Sequence, residues 1–269
     1  MEILETSLEL VKWGMLSGIF LGISVSFTGP LLVLKKNALF PHSLTHVLFL
    51  VIILVSVITQ FLPEFFYYPL IILLTLLSVS GIWIFKKFQA LYEDTATSII
   101  THLALALALI VAATNSQYDL RLFSYLFGSL LTVTSKEVYE SLIILILSVL
   151  LYLKFKGIWV AQTVDSEVPG VNFKFANLSF LFLITLQTLI GIRILGILLV
   201  SSFFVFTSVV ALKISRSFGR VIILTAFLNL LALIGGFLIS FIWDWPFSAS
   251  TVFFMSLYFL ILLIIKKGF

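Results

Sequence analysis

The chain has 269 residues, 61% of them hydrophobic and only 10% charged, and it contains no cysteine. With a mean hydropathy of +1.23 it cannot cover a globule with polar surface, so the bilayer must be its solvent and the water-soluble classes are excluded. The missing cysteines exclude disulfides and thiolate metal ligands, and the net charge of +4 says little about nucleic acid because the cations stand at the ends of apolar segments.

The first dozen residues, MEILETSLELVK, are acidic where a cleavable leader would be basic. Windows of about 20 apolar residues, the length needed to cross hydrocarbon, then fall at Trp13–Leu34, Ala38–Leu62, Phe65–Phe85, Ala96–Thr114, Val138–Leu153, Phe175–Ile192, Ile194–Leu212, Val221–Ile242 and Phe247–Ile265. The sixth and seventh form one apolar run interrupted only by GIRILG, split because a single span is too short to use it all. The pattern predicts an all-α, polytopic integral membrane protein with eight to nine transmembrane helices and a single domain over residues 1–269.

In the first span Gly14, Gly18, Gly22 and Ser26 recur every four residues, followed by Gly29 and Pro30. Small residues at that spacing let helix backbones approach closely, although a helix lining a narrow path would show the same pattern. The second span opens with FPHSLTHVLFL. His42 and His46, at i and i+4, lie on one helix face, and Pro41 suits the first helical turn. His102, in the fourth span, is the third histidine of the chain. His46 lies about eight residues into its span and His102 about six, so at ~1.5 Å per residue they differ by a few Å in depth. Three imidazoles with water can hold zinc and suit hard, oxygen-preferring cations less well. The alternative for each is a hydrogen-bonded packing residue. Asp94 is placed to cap the fourth span.

Two connections are long. Residues 115–137 contain DLRLFSYLFGSLLTV, which fits a re-entrant or interfacial helix, and residues 154–174 read KFKGIWVAQTVDSEVPGVNFK, a mixture of charge, Pro and Gly. Arg193 is read as an interfacial anchor or as a partner of Asp119 or Asp244. Lysines concentrate in alternate connections, which by the positive-inside rule puts the N-terminus outside, the C-terminus inside and residues 154–174 in the cytoplasm. There is no GxxxxGK[ST] phosphate loop, no HExxH and no nucleophile–base pattern, so any transport energy must come from another subunit or an ion gradient.

The order of motifs resembles the membrane permease of the zinc/manganese family of ATP-binding-cassette importers. GPLLVLKKNALFPHSLTHVLF is similar to that family's basic-pair and Asp-x-x-x-His segment, EDTATSIITHLALALALIV to its Glu-Asp-Thr-Ala helix start, and DLRLFSYLFGSLLTV to its Leu-Phe-Gly segment. RILGILLVSSFFVFTSVVALKISRSF and WDWPFSASTVFF follow its last third, so the resemblance spans nearly the whole chain. It implies a multi-pass protein of a prokaryotic cytoplasmic membrane, working as a homodimer with cytoplasmic ATPase subunits and an extracytoplasmic metal-binding protein, and having no nucleic-acid partner. Zn2+ or Mn2+ would be the transported substrate, with no permanently bound cofactor and no catalytic residues. His42 and His46 take the positions of the family's path-lining pair, with His102 available as a third ligand. The 154–174 segment, with Asp165, Glu167, Pro169 and Gly170, corresponds to the loop that enters the ATPase.

The departures are specific. His42 stands where the family has Asp, Pro41 where it has Gly, Leu50 and Thr207 where it has Pro, and Ser248 where it has Gly; the 154–174 segment lacks a clean Ala-x-x-x-Gly. Replacing Asp by His exchanges a hard ligand for a borderline one and tilts the expectation toward zinc. Two other classes stay open on the sequence: a gradient-driven carrier or channel without an ATPase, and a membrane-embedded metalloenzyme using the three histidines.

Overall fold

The computed structural model describes residues 2–58, 63–67, 69–78, 93–114, 125–164 and 173–267, and almost all of these are helical. In chain order the helices are α1 (Glu2–Val25), α2 (Gly29–Leu34), α3 (Phe40–Ile58), α4 (Pro69–Ser78), α5 (Glu93–Ala113), α6 (Ser135–Ala161), α7 (Lys174–Ile214), α8 (Phe218–Trp243) and α9 (Phe247–Lys267). Among the described residues, five helical stretches are long and apolar enough to cross a membrane: α3, α6, α7, α8 and Phe247–Ile264. At 41 residues α7 is about 60 Å long, roughly twice the hydrocarbon thickness.

The first span departs from the expected uninterrupted helix: α1 stops at Val25 and the chain turns before α2 begins at Gly29. Pro30, in the first turn of α2, has no N–H to continue the ladder. The freed groups find local and distant partners. The Ser26 hydroxyl donates to Ile23 O at 2.6 Å and Thr28 Oγ1 to Gln187 Oε1 at 2.8 Å. Gln187 Nε2 in turn donates to Ser24 O at 3.0 Å and to the Ser24 and Ser148 hydroxyls. All four side chains of this knot are buried, so it joins α1, α6 and α7 where hydrocarbon would otherwise meet bare peptide groups.

The expected split of the long apolar run falls at Gly196, where φ is 81° and ψ 163° and the helix axis breaks. Gly128, at φ 70°, meets it backbone to backbone: a Cβ on Gly196 would lie 2.4 Å from Gly128 N. The segment around Gly128, with a 3-10 turn at Leu130–Thr132, is thus wedged into the break in α7. Leu130 also closes on α1, since a Cβ on Gly14 would lie 2.6 Å from Leu130 O. Gly18 faces Leu195 and Leu233, and Gly22 faces Asn229 and Phe203, so the glycine stripe of α1 lies against the 128–132 segment, α7 and α8. Outside this core α3 runs along α5, and α9 along α8 and α7.

Arg193 is bonded to Glu137 at 2.9 Å and lies 3.5 Å from Glu140. Its expected partners differ in outcome: Asp244 is the left-handed cap that ends α8, and Asp119 lies outside the described residues. Both glutamates sit in the opening turns of α6, so the ion pair fastens that end of the helix beside the break in α7.

Candidate functional site

The histidines are placed by the packing of α3 on α5. Pro41 puts His42 and His46 in the opening turns of α3, and their rings meet edge to face with centroids 4.7 Å apart. A hydroxyl latch sets the register of the two helices. Ser43 Oγ donates to Thr97 O at 2.9 Å and shares a 2.6 Å hydrogen bond with Thr101 Oγ1. Ser43 adjoins His42 in the chain and Thr101 adjoins His102, so the latch brings all three imidazoles to one cavity.

That cavity has a volume of about 300 Å³ and is lined by His42, His46, His102, Thr97, Ser98 and Thr101, with Leu39 and Leu105 as its apolar wall. At about 30 Å³ per water it has room for an ion that keeps much of its hydration shell. His46 is 8% exposed and its Nδ1 has no hydrogen-bond partner, whereas His42 and His102 are exposed in the single chain. His102 Nδ1 lies 2.8 Å from Ser98 O. A carbonyl can only accept, so Nδ1 is the donor and Nε2 is the nitrogen left to face a metal, the arrangement by which a backbone carbonyl orients a metal-binding imidazole. No carboxylate is among the described lining residues. The three histidines share a cavity without closing on a point: among the described residues no group of three or more metal-ligating side chains is close enough to hold an ion.

Asp165, Glu167, Pro169 and Gly170 lie outside the described residues, and so does the remainder of their connection from 165 to 172. Its flanks are held by aromatic packing. Trp159 is fully buried, donates from Nε1 to Ala176 O at 2.9 Å and packs edge-on against Phe180. Phe155 packs against Phe175. Lys35 Nζ donates to Gln162 Oε1 at 2.8 Å and sits 4.6 Å above the Phe180 ring. Two groups that sequence reasoning passed over emerge here, Gln187 and Lys35. Gln187 was legible as an amide inside an apolar run; Lys35 carried no signal to set it apart from any other interfacial lysine.

The chain is almost wholly helical over its described residues and carries an imidazole-lined cavity between two of its helices, the form of a membrane transport protein. The profile of the ABC 3 transport family matches residues 7–266, and the chain belongs to that family. It is 27% identical over 252 residues to the high-affinity zinc uptake system membrane protein ZnuB of Buchnera aphidicola subsp. Acyrthosiphon pisum, covering 91% of this chain and 93% of that protein. With the manganese transport system membrane protein MntC of Listeria monocytogenes it shares 26% identity over 185 residues, 67% of this chain and 65% of the relative. The fold matches that of PsaBC from Streptococcus pneumoniae, solved in complex with Fab, with a TM-score of 0.82 at 20% identity over 94% of this chain and 90% of that one.

Proposed function

We propose that this chain is the membrane permease subunit of an ATP-driven importer of divalent transition metal ions, zinc first, with manganese and iron as the other candidates. It transports and does not hydrolyse: the ATPase is a separate cytoplasmic subunit, and an extracytoplasmic protein delivers the ion. Two copies form the working unit in a prokaryotic cytoplasmic membrane. With α7 crossing twice the helices make eight to nine crossings, N-terminus outside and C-terminus inside. The observation that carries the reading is the cavity between α3 and α5, lined by three imidazoles in a chain of the ABC 3 transport family.

His42 and His46 form the transient ion site, and His102 offers Nε2 as a third ligand. Neutral nitrogen donors favour zinc over manganese, which prefers carboxylate and carbonyl oxygen. The open spacing suits passage, since a conducting site must release what it binds. ATP binding and hydrolysis in the partner would alternate the dimer between outward- and inward-open states. The zinc-system and manganese-system relatives both support the transport reading, and neither lends anything to a gradient-driven carrier.

The test is uptake of radiolabelled zinc by cells carrying the full transporter with His42→Ala, His46→Ala or both. Uptake falls in each variant while the chain still co-purifies with its ATPase. Undiminished uptake in the double variant removes the pair from the mechanism.

A further inference from the structure

Lys35 sits between the end of α2 and the start of α3. Its Nζ reaches across to Gln162, the residue that caps α6, and over the ring of Phe180 in the second turn of α7. These two helix ends are themselves clamped by the Trp159–Ala176 hydrogen bond and by the Phe155–Phe175 and Trp159–Phe180 ring contacts. One ammonium therefore touches both sides of the clamp.

The chain leading from Lys35 to the histidines is stiff. Asn37 N donates to Leu32 O at 2.9 Å, Phe40 N to Asn37 O at 3.1 Å and Ser43 N to Leu39 O at 3.0 Å. Lys36 takes the left-handed conformation at φ 59°, which folds this stretch into consecutive tight turns with no slack. The Lys35 side chain thus links the α6–α7 clamp to a hydrogen-bonded stretch that runs into the first turn of α3, where His42 lies seven residues away.

We propose that Lys35 is the positioning residue that couples the α6–α7 clamp to the histidine helix, so that movement imposed from the cytoplasmic side opens or closes the imidazole cavity. This rests on the reading of the chain as an importer's permease. A compact network suits the task, because packed contacts with two discrete arrangements transmit movement where a flexible connection would absorb it. Lys35 needs a long stem and a cationic head together, since the stem crosses the gap and the head serves the amide and the ring at once.

The test uses the complete transporter, reconstituted with its ATPase and metal-delivering protein in proteoliposomes, with zinc uptake and ATP hydrolysis read in one preparation. In Lys35→Met, zinc moved per ATP hydrolysed falls by about tenfold, the scale of one lost charge-assisted hydrogen bond. The ATPase still co-purifies and hydrolysis continues, and Lys35→Arg recovers most of the ratio. Hydrolysis and uptake falling in proportion would mean a structural role only and would overturn the proposal, as would an unchanged ratio. Should Lys35→Met fail to fold, Gln162→Leu removes the same hydrogen bond from the other side, and the ratio in that variant decides. Failure of the wild-type chain to bind any ATPase sinks the importer reading and the coupling role with it. Intact binding with an unchanged ratio in both variants sinks the coupling role alone.

Discussion

Replacing Gly196 with alanine probes the contact that holds α7 in two halves. At φ 81° and ψ 163° the backbone occupies a region that is essentially restricted to glycine, and forcing another residue there costs about 1–3 kcal/mol. The added Cβ would also stand 2.4 Å from Gly128 N and 2.5 Å from Phe127 C. Both are main-chain atoms, so no side-chain rotation relieves the overlap. The 128–132 segment must back away, loosening Leu130, which is 7% exposed, at about 1–2 kcal/mol of lost packing contacts. The sum is about 2–5 kcal/mol, or roughly one and a half to three and a half decades in the unfolding constant at ~1.4 kcal/mol per decade. Thermal unfolding of the detergent-purified chain reads this as a drop in midpoint. Gly128→Ala meets the same overlap from the other side, a Cβ there lying 2.4 Å from the Leu195 carbonyl carbon. Because one separation accommodates both methyls, the double variant should lose little more than either single one. A wild-type midpoint for Gly196→Ala, or full additivity of the pair, would refute the backbone contact.

Three further outcomes can be checked directly. Gln187→Leu leaves Ser24, Thr28 and Ser148 without their shared amide and should destabilise the chain by about 1–3 kcal/mol, seen as a lowered melting midpoint; an unchanged midpoint means the knot is dispensable. His42→Asp, which restores the hard ligand of the zinc/manganese pattern, should raise manganese uptake relative to zinc in a competition assay, and a fixed ratio would show that this position does not select the cargo. Lys35, just beyond α2, is pushed down to about 8 by burial. Between pH 8 and the ordinary lysine value the unfolded chain holds the extra proton, so stability must rise with pH across that window. The melting midpoint of wild type should therefore climb relative to Lys35→Met between pH 8 and 10, and parallel curves would contradict the burial.

Hydropathy made the helices legible because a lipid-facing segment must be apolar along its whole length, and α3, α5, α8 and α9 fall close to their expected windows. It could not register the break between α1 and α2. That break lies inside a stretch that hydropathy averages into one span, although Gly29–Pro30 marks it, and it is held by Gln187 from a helix about 160 positions away. The division of α7 was expected in GIRILG and falls on its second glycine, because the wedge at Gly128 requires a residue with no Cβ. For the site, the i and i+4 spacing and the depth estimate place the three histidines at one level, and they line one cavity without closing on a point. The Ser43–Thr101 latch escaped notice since serine and threonine are common in such spans. Arg193 reads from the sequence as an interfacial anchor or as a partner of Asp119 or Asp244, whereas it pairs with two glutamates at the start of α6. Charge pairing across a fold depends on which helix ends become neighbours, which periodicity does not encode.

Under the import reading, passage through the imidazole-lined α3–α5 cavity has an electrical consequence. A divalent ion that crosses without an accompanying anion or an exchanged proton displaces two elementary charges through the membrane field, whatever fixed groups line its path. With the interior negative, that is worth ~4.6 kcal/mol per ion for every 100 mV, a force acting in the same direction as ATP hydrolysis. Import through this chain would then be electrogenic and would slow when the membrane is depolarised at constant ATP.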